Sequence, residues 1–189
     1  MKNGFHTIRY NLIIILCLSS LSGLLGTASA EGSWQTHKET GCKAWSFNPG
    51  KDTTFSWTGG CKDGYVDGFG TLEWIEAGQP GDKYIGQYLL GKEHGKGTFV
   101  WVNRGARYEG DFVNGLRSGK GIQYFADGER YEGDWRDDLP NGKGVQTWIK
   151  GARYEGDFVN GHMHGYGALT LKNGRVFRGR WENSNYLGP

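Results

Sequence analysis

The side chains that could carry chemistry in this chain are few and scattered. His162 and His164 stand two apart, and His94 lies in a similar glycine-rich setting. Paired imidazoles can begin a zinc site, but no carboxylate or thiolate completes a ligand set around them, so turn geometry accounts for them and no metal is expected. The carboxylates recur in a regular series (Glu109, Asp111, Glu132, Asp134, Glu155, Asp157) and form no distinctive acid–base pair. There is no Gly-x-Ser-x-Gly, no Gly-Lys-Ser/Thr phosphate loop and no His-Glu-x-x-His. The chain is therefore expected to be non-enzymatic and to use no cofactor.

Cysteine chemistry is similarly limited. Cys42 and Cys61 are compatible with a disulfide, a redox pair or a metal site. With no Cys-x-x-Cys and no histidine cluster nearby, a structural disulfide is the expectation for an exported chain. It would enclose 18 residues, and closing a loop of that size stabilises by roughly 3 kcal/mol in the chain-entropy model. Cys17 follows Leu16 rather than a small residue, which argues against a lipoprotein cysteine.

A repeat positions these side chains. Tyr108-Glu109-Gly110-Asp111-Phe112 recurs as Tyr131-Glu132-Gly133-Asp134-Trp135 and as Tyr154-Glu155-Gly156-Asp157-Phe158, at a spacing of 23 residues. Tyr84-Ile85-Gly86-Gln87-Tyr88 opens an earlier copy, and Phe177-Arg178-Gly179-Arg180-Trp181 a later one. Trp57-Thr58-Gly59-Gly60-Cys61 reads as a degenerate first copy, with its extra residues assigned to a loop at 76–82. Each full copy also carries a Gly-x-Gly, as in Gly95-Lys96-Gly97 and Gly119-Lys120-Gly121. A fixed period of this length marks a protein built by stacking one small unit on the next.

Within each copy the strand period of two puts the aromatics and the glycine on one face and Glu109 and Asp111 on the other. Asn-Gly and Asp-Gly pairs supply hairpin turns. The 34 glycines follow no collagen period, and strand glycines make room for rings on the adjacent strand. No segment carries an amphipathic helix pattern.

Tyr-x-Gly-x-Phe/Trp-x-x-Gly, then His/Ser/Asn-Gly-x-Gly, then Asp/Asn-Gly, resembles the MORN repeat (membrane occupation and recognition nexus) from Trp57 to Trp181. The resemblance implies an all-β fold: an elongated, curved antiparallel sheet with one hairpin per repeat, here with a disulfide-pinned N-terminal cap. The expected organisation is a leader at 1–30, a cap at 31–56, a degenerate repeat at 57–83, repeats at 84–107, 108–130, 131–153 and 154–176, and a terminal half repeat at 177–189. Two departures stand out. Asp138 and Pro140 break the turn pattern, so that turn is expected to differ in shape. The last copy is expected to stop after one strand.

Lys2 and Arg9 precede the apolar run Leu12–Leu18, and Thr27-Ala28-Ser29-Ala30 offers an Ala-x-Ala site. This pattern predicts a cleaved signal peptide of the exported bacterial type, and hence a periplasmic or secreted chain, with a retained anchor as the alternative. Removing Lys2 and Arg9 from the 22 basic residues leaves 20, equal to the 20 acidic ones. Such a balance lacks the basic footprint of a nucleic-acid binder.

Function is expected at the surface. The aromatic face is the candidate for binding a protein partner or a second copy, through Tyr84, Trp101, Tyr108, Phe125, Tyr131, Trp135, Trp148, Tyr154 and Phe158. Lys172, Arg175, Arg178 and Arg180 form a basic end that could meet a membrane surface or anionic lipid. Stacking of an envelope glycan on the aromatic groove is a further alternative.

Overall fold

Alternating aromatic and polar residues, broken by paired turn residues, give strands joined by tight hairpins in the computed structural model, which describes residues 32–47, 49–50 and 52–189. An N-terminal hairpin, β1 (Ser33–Thr36) and β2 (Lys43–Ser46), precedes the broken strand β3 (Thr53–Trp57) and β4 (Gly60–Lys62). The long strands β5 (Tyr65–Glu76), β6 (Gln79–Leu89) and β7 (Lys92–Trp101) follow, then a short 3-10 turn at Val102–Arg104. The array continues with β8 (Ala106–Val113), β9 (Leu116–Tyr124), β10 (Arg130–Arg136), β11 (Leu139–Thr147), β12 (Arg153–Val159) and β13 (His162–Thr170). It ends with β14 (Val176–Glu182) and β15 (Asn185–Gly188). From β5 onward each strand pairs with the next, giving an open, curved, mostly antiparallel sheet. The leader and Cys17 lie outside the described residues.

Four expectations are revised. The extra residues of the first copy form no loop: β5 and β6 are simply longer and meet at the two-residue turn Ala77-Gly78. The pairing of the first copy starts before Trp57, because β3 runs along β5 from Thr53↔Glu76 to Trp57↔Leu72. The turn at Asp137-Asp138 has φ values of 48° and 66°, the same left-handed pair as Asn114-Gly115 at 53° and 88°. Its shape is thus shared, because aspartate tolerates this region when its side chain finds local partners. Finally, the last copy does gain a second strand: β15 pairs with β14, and Tyr186 packs edge-on to Phe177 with centroids 5.6 Å apart. β15 is short, which limits the exposed edge.

The core is a ladder of rings rather than a second layer. The rings Trp57, Tyr88, Tyr84, Phe112, Tyr108, Trp135, Tyr131, Phe158, Tyr154 and Trp181 meet in that order, edge to face, with centroids 5.0–5.3 Å apart. Such contacts add about 0.5–1.5 kcal/mol each beyond buried area. Each repeat tyrosine lies flat over two glycines, its own strand's and its partner's. Its hydroxyl donates to a carbonyl three residues on, as from Tyr108 to Asp111 (3.2 Å) and from Tyr131 to Asp134 (2.9 Å). Burial pushes these phenols above the ordinary tyrosine range, that of Tyr154 to about 12, so they stay protonated donors.

The hairpin turns also stack. The second turn residue donates its N–H to the preceding repeat: Gly91 to Val66 (3.0 Å), Gly115 to Glu93 (2.9 Å), Asp138 to Arg117 (3.1 Å), Gly161 to Pro140 (2.9 Å) and Ser184 to Met163 (2.9 Å). The N-terminal hairpin docks on this stack, with Lys43 N–H donating to Gly64 (2.9 Å) and Trp45 N–H to Gly91 (2.8 Å). The Cys42–Cys61 disulfide is present. Cys61 faces Val66 across the ladder, as Phe112 faces Arg117 in a later copy, so a cysteine stands where later repeats place a ring.

Candidate interaction surface

Strand alternation and the ring ladder divide the aromatic face into a sealed spine and an open row. Tyr84, Tyr108, Tyr131, Trp135, Tyr154 and Phe158 are buried in the ladder, so these six rings offer no contact surface and belong to the core. Their removal from the candidate site follows from their packing on one another and on the glycines beneath. Trp101, Phe125 and Trp148, at the strand ends nearer the other set of turns, pack against the core and stay half-exposed. Phe99 lies 4.6 Å from Trp101, centroid to centroid. The open row of Trp101, Phe125 and Trp148 is what remains of the predicted aromatic site.

Beside that row lies a polar cluster that sequence reasoning missed. Arg117 is 7% exposed on the aromatic face, in a column that elsewhere holds Val66, Glu93, Pro140 and Met163. Its Nε donates to Asp138 Oδ1 (2.9 Å), Nη2 to the Asp138 carbonyl (2.8 Å) and Nη1 to Gln123 Oε1 (2.7 Å). The guanidinium lies over the Trp135 ring at 4.4 Å. Gln123 in turn donates to the Arg107 carbonyl at 3.1 Å. Each guanidinium nitrogen thus makes a hydrogen bond, as a buried charge requires. The signal was available in sequence: Asp138 breaks the turn pattern because its carboxylate holds Arg117.

The polar face is more than a solvated surface. Asp111, Asp134 and Asp157 each sit at or beside a β-bulge and accept the backbone N–H of Lys120 (3.1 Å), Lys143 (2.9 Å) and Tyr166 (3.0 Å). Burial raises their carboxyls, but the lysine ammonium of the neighbouring repeat and that N–H together outweigh it, leaving each below the ordinary aspartate value. Lys96 pairs with Asp111, Lys120 with Asp134 and Lys143 with Asp157. Arg107–Glu109, Arg130–Glu132 and Arg153–Glu155 add a second series, each at 2.7 Å. In β14 the series stops: Arg178 and Arg180 are exposed and join no ion pair among the described residues, and Lys172 and Arg175 lie exposed in the preceding turn. A shallow groove lined by Glu132, Lys143, Val145, Glu155, Tyr166 and Arg178 runs across this end.

His162 and His164 lie on β13 and His94 on β7, and no group of three metal-ligating side chains occurs among the described residues. The Nδ1 atoms of His94 and His164 are buried without a hydrogen-bond partner among the described residues.

A family model for the MORN repeat matches residues 84–106, 108–130, 131–153 and 154–174. The chain is 47% identical over 47 residues to "MORN repeat-containing protein 3" of Xenopus laevis, a match covering 25% of this chain and 20% of that relative. The chain thus spans one fifth of that relative's length.

Proposed function

The chain is a MORN-repeat protein, with four tandem copies over residues 84–174, and from that premise we propose a non-enzymatic interaction scaffold of the cell envelope. MORN repeats generally serve as protein or membrane interaction modules. The observation that carries the protein-binding reading is the open row of Trp101, Phe125 and Trp148. Half-exposed tryptophans on a rigid sheet give large contact area with little entropy left to lose, which is the chemistry of an interface anchor. The partner is another protein or a second copy of this chain, and export through residues 1–30 would place the meeting in the periplasm.

The test is a photo-crosslinkable amino acid at position 148, with position 132 on the opposite face as control, in cells expressing the full chain. Discrete adducts from 148 and none from 132 are expected. Adducts in equal amount from both positions, or from neither, would sink the reading.

A second reading has its own observation: Arg178 and Arg180 are exposed and join no ion pair among the described residues. Clustered cations of this kind attract anionic lipid by about 1 kcal/mol per residue near a charged surface. Flotation of the protein with phosphatidylglycerol vesicles, lost in the double variant Arg178→Glu/Arg180→Glu, is the outcome that reading requires. Flotation unchanged by the double variant would remove the basic end from any lipid contact.

A further inference from the structure

One buried acid takes no part in the interaction surface. Glu93 lies in the column that elsewhere holds Val66, Arg117, Pro140 and Met163, all buried. Arg117, the other charge in that column, bonds through each guanidinium nitrogen. Glu93 is not matched in this way. It is 3% exposed, its Oε1 accepts from the Tyr88 hydroxyl, and its Oε2 has no hydrogen-bond partner among the described residues. A carboxyl in that setting is tolerated when protonated and costly once ionised, because nothing replaces the water its charge has lost.

The charged and titratable groups around Glu93 do not make up that loss. Tyr88 supplies one donor. The Tyr84 hydroxyl donates elsewhere, to the Gln87 and His94 carbonyls. Lys92, on the same strand, has its ammonium over the Trp45 and Trp34 rings at 5.0 and 5.9 Å. Arg117 is held by Asp138 and Gln123, and the charge of Asp138 opposes ionisation of Glu93.

The N-terminal hairpin closes the space beside Oε2. Where a Cβ of Gly115 would stand, the nearest atoms are the Phe47 ring at 3.0 Å and Glu93 Oε2 at 3.3 Å. The ring and the unpartnered oxygen therefore border the same gap, over a turn residue with no side chain of its own. The hairpin also lies on the preceding turn, where a Cβ of Gly91 would meet Trp34 at 2.6 Å and the Lys43 carbonyl at 2.8 Å. Its fastenings differ along its length. Cys42 is tied covalently to Cys61. Beyond it, the Lys43 and Trp45 N–H groups donate to the Gly64 and Gly91 carbonyls, and Phe47 follows at 40% exposure.

We propose that residues 43–47 form a strap that opens when Glu93 loses its proton, with the disulfide at Cys42 as its fixed end. In the closed form Phe47 keeps water from Oε2 and the carboxyl is neutral. On ionisation Oε2 takes up water through the gap over Gly115, the ring lifts away, and Trp45 releases the Gly91 carbonyl. Such local opening leaves the rest of a stacked array in place. Burial raises the Glu93 carboxyl, so the closed form binds the proton more tightly than the open one. Its advantage is complete below the ordinary glutamate value and is lost as pH rises through about 7.

The test is amide hydrogen exchange on the full, oxidised chain at pH 5 and pH 8, corrected for the intrinsic rate at each pH. The protection of the Trp45 N–H is expected to fall at least tenfold between the two. Amides of β10 and β11 should keep their protection, and so should Lys43, next to the disulfide. Glu93→Gln cannot ionise and should hold Trp45 protection within threefold. Phe47→Ala removes the cover, so its Trp45 N–H should already be weakly protected at pH 5 and change less with pH. Constant Trp45 protection in the wild type would overturn the strap, and so would an equal fall in Glu93→Gln. A fall shared by β10 and β11 would show global loosening instead of a strap. A wild-type response in Phe47→Ala would show that the ring is not the cover.

Discussion

Gly121→Ala is expected to lower stability by about 3 kcal/mol, near the upper end of what overpacking a core costs, although it adds a single methyl. The glycine faces the Tyr108 ring, and a Cβ there would overlap the phenol hydroxyl and two of the ring carbons. Tyr108 cannot step aside. It is fully buried, held edge-on by Phe112 and Trp135 at 5.1 Å each, and tied to the Asp111 carbonyl. Displacing it breaks the ring ladder in the middle of the array. Gly128→Ala is the control: its φ is +88° and nothing lies within 4 Å of the added methyl, so only backbone strain of about 1 kcal/mol applies. Denaturant unfolding separates the two. A midpoint for Gly121→Ala well below that of Gly128→Ala, with unchanged m, is the expected result. A fall in m would mean that the array splits into separately unfolding parts, since a stacked repeat is held only by its neighbours. Equal midpoints would show that the ring–glycine contact is not what the repeat glycines are for.

The second large effect is a dependence on pH. Glu93 is buried at 3% exposure in the same column as Arg117. Its Oε1 accepts from the Tyr88 hydroxyl at 3.1 Å, and its Oε2 has no hydrogen-bond partner among the described residues. Burial pushes its carboxyl up to about 7; a backbone hydrogen bond, the Tyr88 hydroxyl and Lys92 oppose the shift and Asp138 adds to it. The proton is therefore held more tightly in the folded chain than in the unfolded one. Its contribution to stability is complete below the ordinary glutamate value and is lost as pH rises through about 7. A rise of that size corresponds to about 3 kcal/mol lost between pH 4 and pH 8. Glu93→Gln, which keeps the shape and cannot ionise, should match the wild type near pH 5 and exceed it by about 2–3 kcal/mol at pH 8. Parallel stability–pH profiles for the two proteins would overturn the assignment. Asp111, Asp134 and Asp157 act with the opposite sign: their lowered carboxyls stabilise above the ordinary aspartate value, and that stability is lost as pH falls below it. The wild type is thus expected to be most stable in the mildly acidic range.

The parts of the architecture that follow from local rules were legible in the residues alone. A period of 23, alternation by two and paired turn residues leave few options other than stacked hairpins, because each turn and strand is specified within a few residues of chain. The cysteine pair was legible too, since it rests on count and export context rather than on geometry. The candidate surface was legible only as a face. Alternation assigns Tyr108 and Trp101 to the same side, yet one is core and the other half-open. That difference depends on which rings from neighbouring copies reach over them, and ring-on-ring contact is a property of the assembled sheet.

The misjudged details have the same origin. Asp138 looked like a defect in a turn, and in the folded protein it anchors an arginine 21 positions earlier in the chain. Asp111 and its counterparts read as a regular series of carboxylates forming no distinctive pair, and they close bulges by accepting a backbone N–H nine residues on. The extra residues of the first copy looked like a loop, and they lengthen two strands because β3 extends the pairing beyond the repeat. The sequence by itself determined the repeat, the strand phase, the turn positions and the cysteine pair, all of which depend on short-range pattern. Tertiary structure alone decided which aromatic rings stay open and which charges are buried and paired. Those outcomes depend on side chains from different copies meeting in space, and burial makes each such meeting cost or stabilise by more than any local preference.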